Sequence, residues 1–179
     1  IVRDPSTVYM GTSTEKYSTA IPGKRITEMM ESEPNAIAAV NAGAFFDDGT
    51  AGPAVGSHPL GLVISGSKCV WSSGQQPGLQ GFAGFNEDDV LVVSKKNLSQ
   101  KEAEELNIRD GCCFGPVLIM DGEINLEAFN NNSGYNPRTA IGQRADGAVI
   151  FVCIDGRQAA SMGGTYADII NIMVEYGAV

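Results

Sequence analysis

The chain has 179 residues, 43% of them hydrophobic, a length and composition that suit one domain with a core of its own and not a disordered tail. Its 12 Lys and Arg against 21 Asp and Glu give a net charge of -9, which argues against a nucleic-acid backbone or an anionic membrane surface as the main partner. No apolar run approaches the ~20 residues of a spanning helix, and a start at Ile1 in place of Met leaves open an export signal or anchor outside this sequence.

In chain order, Val2 to Pro5 and Val8 to Gly11 read as a strand and a turn, with Asp4-Pro5 as a breaker. Ile26, Met29 and Met30 recur at helical spacing within residues 24–33, and Pro34 closes that helix. Ala36 to Val40 is an apolar run expected as a buried strand, and it leads into Asn41-Ala42-Gly43-Ala44-Phe45-Phe46. A Gly/Pro-rich loop follows over residues 47–59, of the kind that borders a site. Residues 60–64, 67–72, 81–85 and 90–93 read as short strands, the first two joined by Ser65-Gly66. Ser99-Gln100-Lys101-Glu102 matches a capping box, with Leu98 placed to staple against Ala103, so a helix over residues 100–106 is expected. The same reading accounts for Asn97-Leu98-Ser99 without glycosylation; Asn131-Asn132-Ser133 is a second acceptor triplet. Residues 112–120 (CCFGPVLIM) read as a strand in which Gly115-Pro116 marks a bulge, an edge or a close approach of backbone to ligand.

The stretch that organises the rest is NPRTAIGQRADGAVIFVCIDGR, residues 136–157. Its apolar run from Ala148 to Ile154 is expected as a central strand covered on both faces, which delivers Asp155, Gly156 and Arg157 at its end. Ala140 and Ile141 suggest a partner strand that brings Arg138 to the same sheet. Beyond it, Thr165 and Asp168 form another capping box, and Tyr166, Ile169, Ile170, Met173 and Val174 give a helix with one apolar face, stopped by Gly177.

Each chemical candidate has a plain structural counterpart. Arg138 and Arg157 could clamp a phosphate, since a guanidinium fork matches its oxygens, or could make salt bridges to Asp155 or Asp146. Asp155 could be a general base or nucleophile, or an ordinary Asp-Gly turn residue. His58, the one histidine, could donate a proton or touch a phosphate oxygen, or be solvated in its loop. Asn41 could orient a substrate oxygen or hold its turn. Asp47 and Asp48 match no calcium loop, and Asp168 is expected to cap its helix. The four cysteines, Cys69, Cys112, Cys113 and Cys153, show no metal spacing and are expected as buried free thiols, a Cys69 bridge to Cys112 or Cys113 being the alternative. A Cys153 and His58 nucleophile pair is poor, because the thiol lies inside a strand.

Taken together, four segments resemble the phosphodiester glycosidase family: Asn41 to Phe46, then Gly115-Pro116 with Asp121-Gly122, then Pro137-Arg138-Thr139-Ala140-Ile141-Gly142, and last Asp155-Gly156-Arg157 followed by Gly164-Thr165 and the helix. The resemblance implies hydrolysis of a glycosyl-1-phosphodiester, N-acetylglucosamine-1-phosphodiester-like, in a cell-surface or exopolysaccharide glycan, outside the cytoplasm. The assignment that follows has Arg138 and Arg157 on the phosphate and Asp155 as base or nucleophile. Asn41, His58, Thr139, Thr165 and Gly115 would contact substrate. No cofactor is predicted, and a divalent cation stays open. A non-catalytic module that binds phosphorylated glycans is the alternative. Members of the family continue past the equivalent of Ala178-Val179 into an Asn-Leu-Asp-Gly-Gly-Gly-Ser segment, so the 1–179 domain is expected to be truncated at its C-terminal end. Two departures from the family pattern are Ala44, which could shift the aromatic pair, and Asp168 where Glu is common. The fold expected is a single α/β or α+β domain with a mixed, strand-rich sheet and about three helices packed on it.

Overall fold

A computed structural model of the chain describes residues 1–17, 22–46, 58–74 and 81–179. Five strands form the larger sheet: β1 (Leu62–Ser65), β2 (Lys68–Ser72), β3 (Phe82–Asn86), β4 (Leu91–Ser94) and β5 (Ile108–Cys113), in the order β2-β1-β5-β3-β4. Every pairing is antiparallel, which makes the fold α+β. Two short ribbons complete it: β6 (Ile119–Met120) with β7 (Glu123–Ile124), and β8 (Arg138–Gln143) with β9 (Val149–Ile154). The helices among the described residues are α1 (Ile26–Ser32), α2 (Gln100–Glu105), α3 (Leu126–Phe129) and α4 (Tyr166–Glu175).

Local chemistry explains where these elements start. Ser99 accepts the Glu102 N–H and the Glu102 carboxylate accepts the Ser99 N–H at 2.8 Å, so the box predicted for α2 forms in both directions. Leu98 and Ala103 are both buried, as a staple requires. Asn97 is only 5% exposed, so its acceptor triplet is out of reach of a glycan.

Two cores result. Leu62, Ile64, Phe82, Ile108 and Cys113 of the larger sheet meet Leu98 and Ala103 of the α2 segment. Ile150 and Val152 of β9 meet Ile169 and Met173 of α4, with Ala140 and Ile154 alongside. Fully burying one such side chain is worth about 1.5–3 kcal/mol. Polar bonds tie the two halves together. Gln143 of β8 accepts the Leu91 N–H at 2.7 Å and donates to the Asp89 carbonyl at 2.8 Å, across to the β3-β4 turn. The N-terminal arm runs between the halves: Val2 pairs with Val149, while Arg109 of β5 donates to the carbonyls of Pro5 and Val8.

Four expectations need correcting. Ala36 to Val40 forms no strand, and Ile37 is 96% exposed: the segment pairs with none of the described strands, and apolar composition without a ladder partner does not make a strand. At the N-terminus only Val2 pairs, and Pro5–Thr7 is a 3₁₀ turn capped by Asp4. Residues 112–120 are not one strand: β5 ends at Cys113, and β6 begins at Ile119 after a segment that holds the cis Gly115-Pro116 bond. Finally, β9 is half of a two-stranded ribbon and not a central strand, and its outer face is open at Cys153, which is exposed, as is Cys69. Cys112 and Cys113 are buried, and all four thiols are free. The loop over residues 47–57, with Asp47 and Asp48, lies outside the described residues.

Candidate active site

Strand alternation sorts the organising stretch onto two faces. In the β8-β9 register Arg138 lies opposite Ile154 and Thr139 opposite Cys153. Ile154 and Ala140 pack toward α4, and Arg138 goes with them. Its guanidinium carbon sits 4.3 Å from the centre of the Tyr166 ring, within cation-π range. Thr139, on the opposite face, donates its hydroxyl to Asn41 Oδ1 at 2.9 Å. Neighbours in sequence are thus divided between two environments.

Arg138 is heavily committed. Its Nε donates to the Gly164 carbonyl at 3.0 Å, and its Nη2 to Ser133 Oγ at 2.8 Å and to the carbonyls of Ser133 and Gly134 at 3.2 and 3.1 Å. These bonds fasten the loop before β8 to the segment that opens α4. Asn136 closes the same junction: its N–H and C=O both pair with Gly164, at 3.2 and 2.9 Å. The backbones meet so closely that only glycine fits. A Cβ on Gly163 would lie 2.5 Å from the Asn136 carbonyl carbon, and one on Gly156 would lie 2.6 Å from Pro137 N.

Asp155 and Arg157 emerge at this junction, separated by buried Gly156, and both are exposed. Neither makes an ion pair among the described residues, and Asp146 pairs instead with Arg144 at 2.8 Å. Arg157 has left-handed backbone, φ 57°, and its Nη2 donates to Asn136 Oδ1 at 2.8 Å. The Asp155 carbonyl accepts the Ser161 hydroxyl at 2.6 Å, which closes the loop. Thr165 caps α4: its hydroxyl accepts the Asp168 N–H and donates to Asp168 Oδ2 at 2.7 Å. Hydrogen bonds from the Thr165 amide and hydroxyl hold the Asp168 carboxyl below its usual range.

Asn41 is the start of a bridge between the halves. From it the chain passes Gly43, beside Cys112, and Ala44, whose N–H donates to the Cys113 carbonyl at 3.0 Å. The Phe46 N–H then donates to the His58 carbonyl at 2.8 Å. The His58 ring stands edge-on between Phe46 and Trp71, with Nδ1 buried and without a hydrogen-bond partner among the described residues. Gly115 follows β5, next to Gly81. No hydrogen bond, ion pair or ring contact links His58 or Gly115 to Asp155, Arg138 or Arg157 among the described residues. Among the described residues no group of three or more His, Cys, Asp or Glu converges there as metal ligands would. From the sequence, Asn136, Ser133 and Tyr166 have no site role: Asn136 only opens the organising stretch, Ser133 stands in an acceptor triplet and Tyr166 on a helix face.

Residues 34–179 match the phosphodiester glycosidase family. The chain belongs to that family. The match takes in every residue discussed above from Asn41 onward. A prophage protein of Bacillus subtilis (strain 168), the SPbeta prophage-derived uncharacterized protein YomE, is 22% identical over 181 residues, which is 98% of this chain and 26% of that protein. The phosphodiester glycosidase fold is also seen in the zebrafish N-acetylglucosamine-1-phosphodiester alpha-N-acetylglucosaminidase catalytic domain, auto-inhibited by its pro-peptide. That structure superposes with a TM-score of 0.56 at 24% identity, covering 76% of this chain and 47% of the zebrafish one. This phosphodiester glycosidase chain therefore spans about a quarter of the prophage relative and about half of the solved domain.

Proposed function

We propose that this phosphodiester glycosidase hydrolyses a glycosyl-1-phosphodiester of the N-acetylglucosamine-1-phosphodiester kind, with Asp155 and Arg157 at the centre of the site. The observation that carries the reading is their place together at the end of β9: opposite charges on either side of Gly156, both exposed and neither neutralised by an ion pair among the described residues. Asp155 takes a proton from water, whose oxygen bonds to the anomeric carbon, or attacks that carbon itself. The bond from the anomeric carbon to the phosphate oxygen breaks, and its electron pair leaves with the phosphate monoester. Arg157 stabilises the charge on that leaving group. A phosphate monoester leaves readily, so the demand for a strong general acid is small. Asn41 and Thr139 orient sugar hydroxyls from the neighbouring face. Arg138 fixes the loop beneath the site, since its Nε and Nη2 donors are taken by protein oxygens. The same reading puts the enzyme on cell-surface or exopolysaccharide glycans, outside the cytoplasm.

The test is release of N-acetylglucosamine from its alpha-linked methyl phosphodiester by the full-length protein. Asp155→Asn should lower kcat by about 10²-fold or more with folding unchanged. Full turnover by that variant would remove Asp155 from the mechanism. Saturable binding of the diester without turnover by the wild type would favour a glycan-binding module.

A further inference from the structure

Arg157 is held by an uncharged partner. Arg138 is held by carbonyl and hydroxyl oxygens, whereas Arg109 pairs with Asp89 and Asp110, and Arg144 with Asp146. Arg157 instead meets the amide oxygen of Asn136 at 2.8 Å. That amide has one possible orientation, because its Nδ2 donates to the Ser133 carbonyl at 3.1 Å, and the same carbonyl accepts from Arg138. Its backbone is fixed through both bonds to Gly164 and by the close approach of Gly163. An anchor of this kind sets the direction of a guanidinium and leaves its full charge for a ligand. A carboxylate at the same place would set the direction and cancel the charge.

We propose that Asn136 is a positioning residue that aims Arg157 at the anionic phosphodiester group of the substrate without neutralising it. This inference rests on the reading of Arg157 as the phosphate contact. Arg138 supports it from behind by holding Ser133.

The experiment compares Asn136→Asp, Asn136→Ala and Arg157→Ala in the full-length protein, each verified as folded by its melting temperature. KM is measured on the methyl phosphodiester of N-acetylglucosamine and on an uncharged aryl N-acetylglucosaminide, at low and high NaCl. Asn136→Asp should raise KM for the charged diester about tenfold, close to Arg157→Ala, flatten its salt dependence, and leave KM for the neutral glycoside unchanged. Asn136→Ala should raise it less, because the guanidinium is freed but still charged. A purely structural role predicts the reverse order, since Asp would hold Arg157 by a salt bridge; wild-type KM in Asn136→Asp together with an impaired Arg157→Ala overturns the inference alone. An Arg157→Ala enzyme with wild-type KM overturns the reading of Arg157 and the inference with it. If the wild type does not turn over the diester, the same ranking is read from dissociation constants, and no binding by the wild type overturns both.

Discussion

Thr139 Oγ1 and Asn41 Oδ1 lie 2.9 Å apart although 98 positions separate them in the chain. The bond joins β8 of the β8-β9 ribbon to the segment that leads into the larger sheet, so it sits where the two halves of the domain meet. Thr139→Val keeps the shape and removes the bond. It should cost about 1 kcal/mol of stability or less and lower kcat/KM on the glycosyl phosphodiester by up to about tenfold. Thermal melts and steady-state kinetics check the two halves of that statement.

Arg109 ties the N-terminal arm to the sheet. It pairs with Asp89 at 2.8 Å and with buried Asp110 at 2.7 Å, lies 5.3 Å from the centre of the Phe85 ring, and donates to the Pro5 and Val8 carbonyls. Arg109→Ala leaves Asp110 buried without its cation and should destabilise the fold by about 2–4 kcal/mol. Denaturant titration gives the magnitude, and hydrogen exchange should show residues 5–10 losing protection first.

The capping carboxylates set an acid limb. Glu102 is held down at about 2 by hydrogen bonds from Lys96 and from Ser99, against a usual 4.5. A depressed folded-state value means that the contribution is complete above about pH 4.5 and lost as pH falls towards 2. Asp168 acts in the same direction through Thr165. Far-UV circular dichroism followed from pH 6 to 2 should show a shallower loss of helix in Glu102→Gln than in the wild type.

The thiols should divide by burial. Cys112 is pushed up to about 12 by burial, with Cys113 beside it adding to the effect, and burial raises Cys113 as well. Cys153 is exposed on the outer face of β9, and Cys69, also exposed, is raised by partial burial. At pH 8 a disulfide reagent should modify Cys153 first and Cys69 more slowly, with Cys112 and Cys113 reacting only after denaturation. Mass spectrometry of the labelled peptides reads the order.

What the sequence determined by itself was local or cumulative. The Ser99 and Thr165 caps, the hairpin around Ser65-Gly66 and the apolar face of α4 depend on interactions within a few residues, and each is present in the structure. Family membership was legible because four short segments kept their order over a long span. Read from the sequence, Arg138 and Thr139 fall together on the substrate, whereas alternation along β8 turns them to opposite faces. Only the tertiary structure decided what lies against each face. Ala36 to Val40 and Ala148 to Ile154 are similarly apolar, yet the first stays unpaired while β9 gains α4 on one side, and Cys153 is left open on the other. The commitment of Arg138 to Ser133, Gly134 and Gly164, and of Arg157 to Asn136, depends on contacts across as many as 26 positions. A guanidinium's partner is set by which carbonyl or amide the fold brings within 3 Å or so of it, and spacing along the chain does not contain that distance.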